Sequence, residues 1–306
     1  MKKNAVRHLL VTSLFVLAIL WSGCTPSTEE PAPEVEQLAT ARVSAQLSDE
    51  PGRVRVIGHN DLHYFVDAAP SADGISEVDT LLAAQATCAV FVAEKAAQEL
   101  DIPLNGATAT TTFDEDQDQV NVYLDLPGAN GDQVLDLANH FRQRCPIYTT
   151  LSEAASVEFS PDEQFEAGRN ESAIVTAELF RFGGANVTTG NYTFVMDSVP
   201  PLDGPNEELN PLDMMLGGLA ACSSFVYDRE AAAANVTVIV EGDFDPSGVR
   251  DLDGPNPRIQ NIRISLQTDS YDEVQAEKVE GHIKEQCHLY SMLNGTVDIE
   301  IIIEPA

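Results

Sequence analysis

Two apolar runs, at 76–100 and 210–226, dominate the hydrophobic and polar pattern of the chain. A helix that is apolar almost all round is a buried one, and the small residues Gly217, Gly218, Ala220 and Ala221 let another backbone come close. The second run carries its own start signal. Asn210 suits the N-cap, Pro211 suits the first helical position, and Asp213 places an acid where the helix dipole favours one. Two further helices are predicted at 131–144 and 271–286, each ending at a cysteine, with Pro146 stopping the first. Period-two alternation predicts strands at 39–47, 52–58, 63–67, 107–113, 120–126 and 156–159. Later strands are predicted at 173–182, 191–196, 236–242, 259–268 and 296–303. Strands, helix, strands, helix and strand follow one another twice, which is an α+β order in units large enough for their own core.

The order repeats because the chain is duplicated. Asp79-Thr-Leu-Leu-Ala-Ala-Gln-Ala-Thr-Cys88 and the run from Asp213 to Cys222 each place an acid nine residues before a cysteine. Phe91-Val92 and Phe225-Val226 then follow at the same offset. Downstream, His140, Cys145, Tyr148 and Leu151 align with His282, Cys287, Tyr290 and Leu293. Each half therefore carries two cysteines, 57 residues apart in the first and 65 in the second. Internal repeats of this kind mark one structural unit used twice, and 39–160 and 173–306 are expected to pack as two such units joined by the polar linker 161–172.

The amino terminus changes the picture of where the protein works. Lys2, Lys3 and Arg7 precede an apolar run of about 13 residues that ends at Ser22-Gly23-Cys24. Such a run is too short to span roughly 30 Å of hydrocarbon and reads as a signal segment, 1–23. A small residue before a cysteine resembles the lipobox of bacterial lipoproteins. That resemblance implies lipidation at Cys24 and a membrane anchor in the bacterial cell envelope; ordinary signal cleavage without a lipid is the alternative. Residues 24–38 read as an acidic, proline-rich tether.

Charge and cysteine count narrow the function. The chain has 49 acidic and 17 basic residues, a net charge of −32. Removing the signal segment takes away three basic residues and brings the mature chain near −35. Nucleic acid and anionic lipid surfaces are repelled by such a charge, which fits a very salty habitat. Four cysteines besides Cys24, in an oxidising compartment, permit disulfides. Zinc-type Cys-x-x-Cys spacing does not occur, His140 and His282 are expected at the surface, and Asp251 and Asp253 lack the rest of a calcium loop.

On these residues the chain resembles the OsmC/Ohr family of thiol-dependent hydroperoxide reductases. Pro211-Leu-Asp213 leading through a Gly/Ala-rich run into Cys222 is similar to that family's first-cysteine helix, and Cys145-Pro146 to its second cysteine. Glu241-Gly-Asp-Phe-Asp245 at the end of a middle strand is similar too. The resemblance implies two tandem OsmC-like repeats packed as a pseudo-dimer, the one-chain counterpart of an intertwined homodimer. It implies Cys88 and Cys222 as peroxidatic, Cys145 and Cys287 as resolving, an organic hydroperoxide as substrate and a thiol reductant of unknown identity. No cofactor and no metal are expected from the residues themselves. The family's thiolate-activating arginine has no match by spacing; Arg53, Arg55 and Arg181 are candidates. Asp213 and Asp79 are supporting residues, either catalytic or simply helix-capping.

Two functions thus remain open from the sequence. One is an envelope-anchored peroxidase acting on organic, including lipid, hydroperoxides. The other is a non-catalytic lipoprotein in which 88–145 and 222–287 are permanent disulfides stapling a binding module. Closing loops of that length stabilises each half by about 4 kcal/mol in the chain-entropy account.

Overall fold

The computed structural model describes residues 38–69, 74–114, 116–117, 119–154, 156–160, 171–231 and 235–306. The expected signal segment, Cys24, nearly all of the tether and most of the linker lie outside them.

The first half runs β1 (Ala39–Leu47), β2 (Arg53–Ile57), β3 (His63–Asp67), α1 (Glu77–Glu99), β4 (Thr108–Asp114), β5 (Gln119–Asp125), α2 (Gly131–Arg144), α3 (Pro146–Ala154) and β6 (Ser156–Ser160). The second half opens with β7 (Glu171–Arg181), β8 (Gly184–Thr189) and β9 (Tyr192–Asp197), followed by α4 (Pro211–Ala231). It continues through β10 (Val236–Phe244), α5 (Pro246–Arg250), β11 (Gln260–Thr268), α6 (Glu273–Gln286), α7 (His288–Leu293) and β12 (Ile299–Pro305). Apart from the one-turn α5, the two halves share one element order, as the duplication requires.

Side-chain caps start the helices. Ser76 accepts a hydrogen bond from the Asp79 amide while Asp79 accepts one from the Ser76 amide, a reciprocal capping box. Asn210 and Asp213 make the same exchange at α4, and Asn130 and Gln133 make it at α2.

The halves do not keep their strands to themselves. One six-stranded sheet has the order β12-β11-β10-β1-β2-β3, and the other has the order β6-β5-β4-β7-β8-β9. Each sheet is therefore three strands of one half paired with three of the other. The seams are antiparallel: β1 runs against β10 from Ala39↔Phe244 to Gln46↔Thr237, and β4 runs against β7 from Thr108↔Glu178. Helix α1 packs on β4, β7 and β8, helix α4 packs on β1, β2 and β10, and the two helices pack on each other. The layers are sheet, helix, helix, sheet. By length and composition α1 could cross a membrane, yet 89% of its most apolar window is buried inside the protein. Residues Glu36–Ala306 accordingly form a single unit. Exchange of this kind leaves no surface along which the halves separate without breaking both sheets.

Several elements depart from the expected ones. Pro146 does end α2, but it also begins α3, because proline lacks an N–H and its fixed φ suits the first helical position. In the second half His288 takes the same place at the start of α7. Strand β8 was not expected; Gly183, in the left-handed region, and Gly184 make the tight turn that folds β8 back on β7. Between the strands expected at 236–242 and 259–268 the structure adds α5, capped by Asp245 accepting from the Ser247 amide.

Candidate active site

The structure joins the four cysteines in two pairs. Cys88 in α1 is bonded to Cys145, with Cα atoms 6.0 Å apart; Cys222 in α4 is bonded to Cys287, with Cα atoms 5.8 Å apart. Each first cysteine lies inside a core helix and each second one in the one-residue break between α2 and α3 or between α6 and α7. That break has a chemical consequence. With Cys145 and Cys287 in extended conformation, their Sγ atoms accept the amides of Tyr148 and Tyr290 at 3.3 and 3.4 Å. A sulfur that accepts a backbone N–H at a helix start is eased toward the thiolate when reduced. All four are buried: Cys222 is 5% exposed, Cys88 2%, and Cys145 and Cys287 not at all.

The site of one half is completed by the other half. Gly218 lies one helical turn before Cys222 on the same face, and a Cβ there would overlap Thr80 Oγ1 and crowd the Glu77 carbonyl. Leu289, two residues after Cys287, meets the same spot. The start of α1 therefore abuts the Cys222–Cys287 pair. Glu77 is half-buried there, and that burial raises its pKa, with the nearby His288 opposing the shift.

Both acids cap the helices that carry the first cysteines. Nine residues of helix separate each from its own cysteine, roughly 13 Å along the axis. Asp79 caps α1 and also accepts from Thr189 Oγ1 at 2.8 Å. Asp213 is buried, caps α4, accepts the His59 amide at 3.1 Å and pairs with His59 Nδ1. That pairing raises the His59 pKa against the opposing effect of burial. Thr189 ends β8 and His59 follows β2, the matching strand of the other half, so each acid ties a core helix to the opposite half. A cavity of about 500 Å³ opens beside Asp213 and His59, walled by Val199, Pro201, Leu212 and Phe244, with no cysteine among its described lining residues.

Two of the three candidate arginines are held by carboxylates. Arg53 makes a two-pronged contact with Asp67 at 2.7 and 3.0 Å and a further one with Glu50. Arg181 pairs with the buried Asp197, which also accepts the amides of Glu207 and Glu208. Arg55 is exposed. The cation closest in sequence to a site cysteine was missed. Arg144, immediately before Cys145, is fully buried, and its donors reach Glu99 at 2.6 and 3.2 Å, the Val249 and Arg250 carbonyls at 2.9 and 2.8 Å, and His140 at 3.1 Å. Burial and Arg144 together lower the His140 pKa. The second half has Gln286 at this position, exposed and held by Arg229. A basic residue in the last turn of a helix is ordinary in a sequence, so only its unlike counterpart in the other repeat could have drawn notice. His282 pairs with Glu230 at 2.8 Å instead. Among the described residues no group of three or more His, Cys, Asp or Glu is placed to hold a metal.

Comparison with known proteins finds the same unit twice. The family model described as OsmC-like protein matches residues 70–160 and 204–302, which together exceed half of the chain. The OsmC-like protein from Mycoplasma pneumoniae is 17% identical, with a TM-score of 0.36; the match covers 47% of this chain and 99% of that one. An organic hydroperoxide resistance protein OsmC from Legionella pneumophila is 18% identical, covering 44% and 96%, with a TM-score of 0.34. The organic hydroperoxide resistance protein OhrB of Bacillus subtilis is 18% identical, covering 44% and 98%, with a TM-score of 0.33. No curated protein matches the chain.

Proposed function

The chain belongs to the OsmC-like protein family, and we propose that it is a thiol peroxidase that reduces organic hydroperoxides through its two cysteine pairs. The observation that carries this reading is the placement of Cys88 and Cys222 in buried helices, each already bonded to a cysteine 57 or 65 residues away. In the reduced protein the Cys222 thiolate attacks the terminal oxygen of the hydroperoxide. An S–O bond forms as the O–O bond breaks, and the alkoxide leaves, taking a proton from water. The Cys287 thiolate then attacks the sulfenic sulfur, so that the S–S bond forms as the S–O bond breaks and hydroxide leaves, becoming water on protonation. Two electrons from an external thiol reductant reopen the pair. Backbone donation to Cys145 and Cys287 favours the thiolate needed in that second step. The apolar walls formed by α1 and α4 favour an organic substrate.

The amino-terminal pattern supports export, cleavage before Cys24 and a lipid anchor in the cell envelope, where lipid hydroperoxides form; mass spectrometry of the mature chain tests this, and a soluble protein starting elsewhere overturns it. For the chemistry, the test is single-turnover peroxide consumption by the reduced protein. Cys222→Ser together with Cys88→Ser should abolish it, and Cys287→Ser should leave a trapped sulfenic acid at Cys222. Complete burial of Cys145 and Cys287 favours a second reading, two structural staples. That reading expects disulfide potentials below about −300 mV, similar melting losses for every cysteine variant, and no peroxide consumption by the parent.

A further inference from the structure

The buried threonines and serines of the two core helices are satisfied by their own helix, whereas one buried amide near a site cysteine is not. Thr80 and Thr87 donate to the carbonyls of Glu77 and Ala83, and Ser223 and Ser224 donate to those of Leu219 and Ala220. Gln85 is fully buried in the middle of α1, and neither its Nε2 nor its Oε1 has a hydrogen-bond partner. An unpaired buried amide is costly to keep, so it is retained for something that comes and goes.

Its position says what. Gln85 precedes Cys88 by three residues, and side chains so spaced are helix neighbours with Cβ atoms about 5–6 Å apart. The Cys88 side chain leans toward the amino-terminal turn that carries Gln85. At the same offset before Cys222 the second half has Leu219, also buried. At this position beside the reactive sulfur the duplicated sites therefore differ in polarity: an amide offering both donor and acceptor in one, a hydrocarbon in the other.

We propose that Gln85 is the specificity-determining residue of the Cys88 site, hydrogen-bonding both oxygens of the peroxide and selecting hydrogen peroxide, whereas the Cys222 site beside Leu219 selects alkyl hydroperoxides. The proposal rests on the peroxidase reading above. Oε1 accepts from one peroxide O–H, and Nε2 donates to the oxygen that becomes hydroxide. The Cys88 thiolate forms the S–O bond as the O–O bond breaks; hydroxide leaves and is neutralised to water by the proton that the Cys88 thiol released on ionising. The sulfur loses two electrons and the peroxide gains them. A donor aimed at developing negative charge acts most strongly where water is excluded. A site built to hydrogen-bond its substrate also discriminates far better than an apolar one.

Two single-site proteins test this: Cys222→Ser/Cys287→Ser keeps the first pair, and Cys88→Ser/Cys145→Ser keeps the second. After reduction, the loss of two thiols per turnover is timed with hydrogen peroxide and with cumene hydroperoxide. The ratio of the two rates should favour hydrogen peroxide at the first pair by at least about tenfold over the second, the worth of one good hydrogen bond. Gln85→Leu should bring the first pair to the second pair's ratio, and Leu219→Gln should move the second pair the other way; Gln85→Met repeats the test if leucine disturbs packing. Equal ratios at the two pairs overturn the proposal, as does an unchanged ratio in Gln85→Leu accompanied by a higher melting temperature. Failure of the first pair to react with either peroxide ends the peroxidase reading there and this proposal with it, whereas reaction with an unaltered ratio ends only the role of Gln85.

Discussion

Replacing Arg144 tests whether the first half is clamped to the second through its own cysteine loop. The guanidinium is fully buried and all three of its nitrogens are engaged: Nε with the Val249 carbonyl, Nη1 with Glu99 and His140, and Nη2 with Glu99 and the Arg250 carbonyl. Arg144→Leu keeps much of the stem's packing and removes every donor. Val249 is buried, so its carbonyl is left without that partner at a cost of about 1–3 kcal/mol. Arg250 is exposed and its carbonyl can turn to water. The Glu99 side chain is 35% exposed and keeps Lys95 at 3.6 Å. The roughly 3–5 kcal/mol expected on stranding a buried charge is therefore only partly incurred. The expected loss is about 2–4 kcal/mol, read as a shifted denaturant midpoint at unchanged slope. Arg144→Lys should recover less than half of it, because a point ammonium cannot reproduce the fork. Gln286→Ala, at the matching exposed position, should change stability by no more than about 0.5 kcal/mol. If Arg144→Leu fell within that same margin, the clamp argument would be wrong.

Gly218→Ala should cost about 1–3 kcal/mol, because its Cβ overlaps Thr80 Oγ1 and approaches Leu289 to 2.9 Å; a melting scan checks it, and an unchanged transition refutes the close helix crossing. Glu94 has its pKa raised to about 6 by burial, against the Gly183 amide that favours the ionised form. A raised acid holds its proton longer folded than unfolded, so its contribution is present below about 4.5 and lost as pH rises through about 6. Glu94→Gln should flatten stability over that window, as measured by denaturant unfolding at a series of pH values. The pairing with Asp213 raises the His59 pKa above 6.5, so that contribution is complete below 6.5 and lost as pH climbs through the folded value. His59→Gln should remove this later fall, and direct titration of the ring by NMR should show a value above the ordinary one.

The α+β order and the duplication were legible in the pattern itself. Local signals suffice for them: the cap at Asn210 locates the second core helix, and all-round apolarity announces the burial of both. The recurrence of Cys88 and Cys145 as Cys222 and Cys287 is visible without coordinates. The missed elements failed for local reasons too. A proline that stops one helix can itself begin the next, and β8 is short and starts directly at a glycine turn.

What only the tertiary structure decided is which partners these elements take. Alternation along β1 specifies its buried face, yet its edge hydrogen bonds are backbone groups that any strand could satisfy. That β1 pairs with β10, across 199 residues from Arg42 to Glu241, follows from closing both sheets around one pair of helices. Arg144 shows the same limit for a side chain. Its sequence position is that of a routine basic residue in a last helical turn, and only the arrival of α5 from the other half converts it into a buried clamp. Gln85 looks equally unremarkable in the sequence, because a buried amide is costly only when nothing meets it, and what meets a side chain is settled by the packing of distant segments.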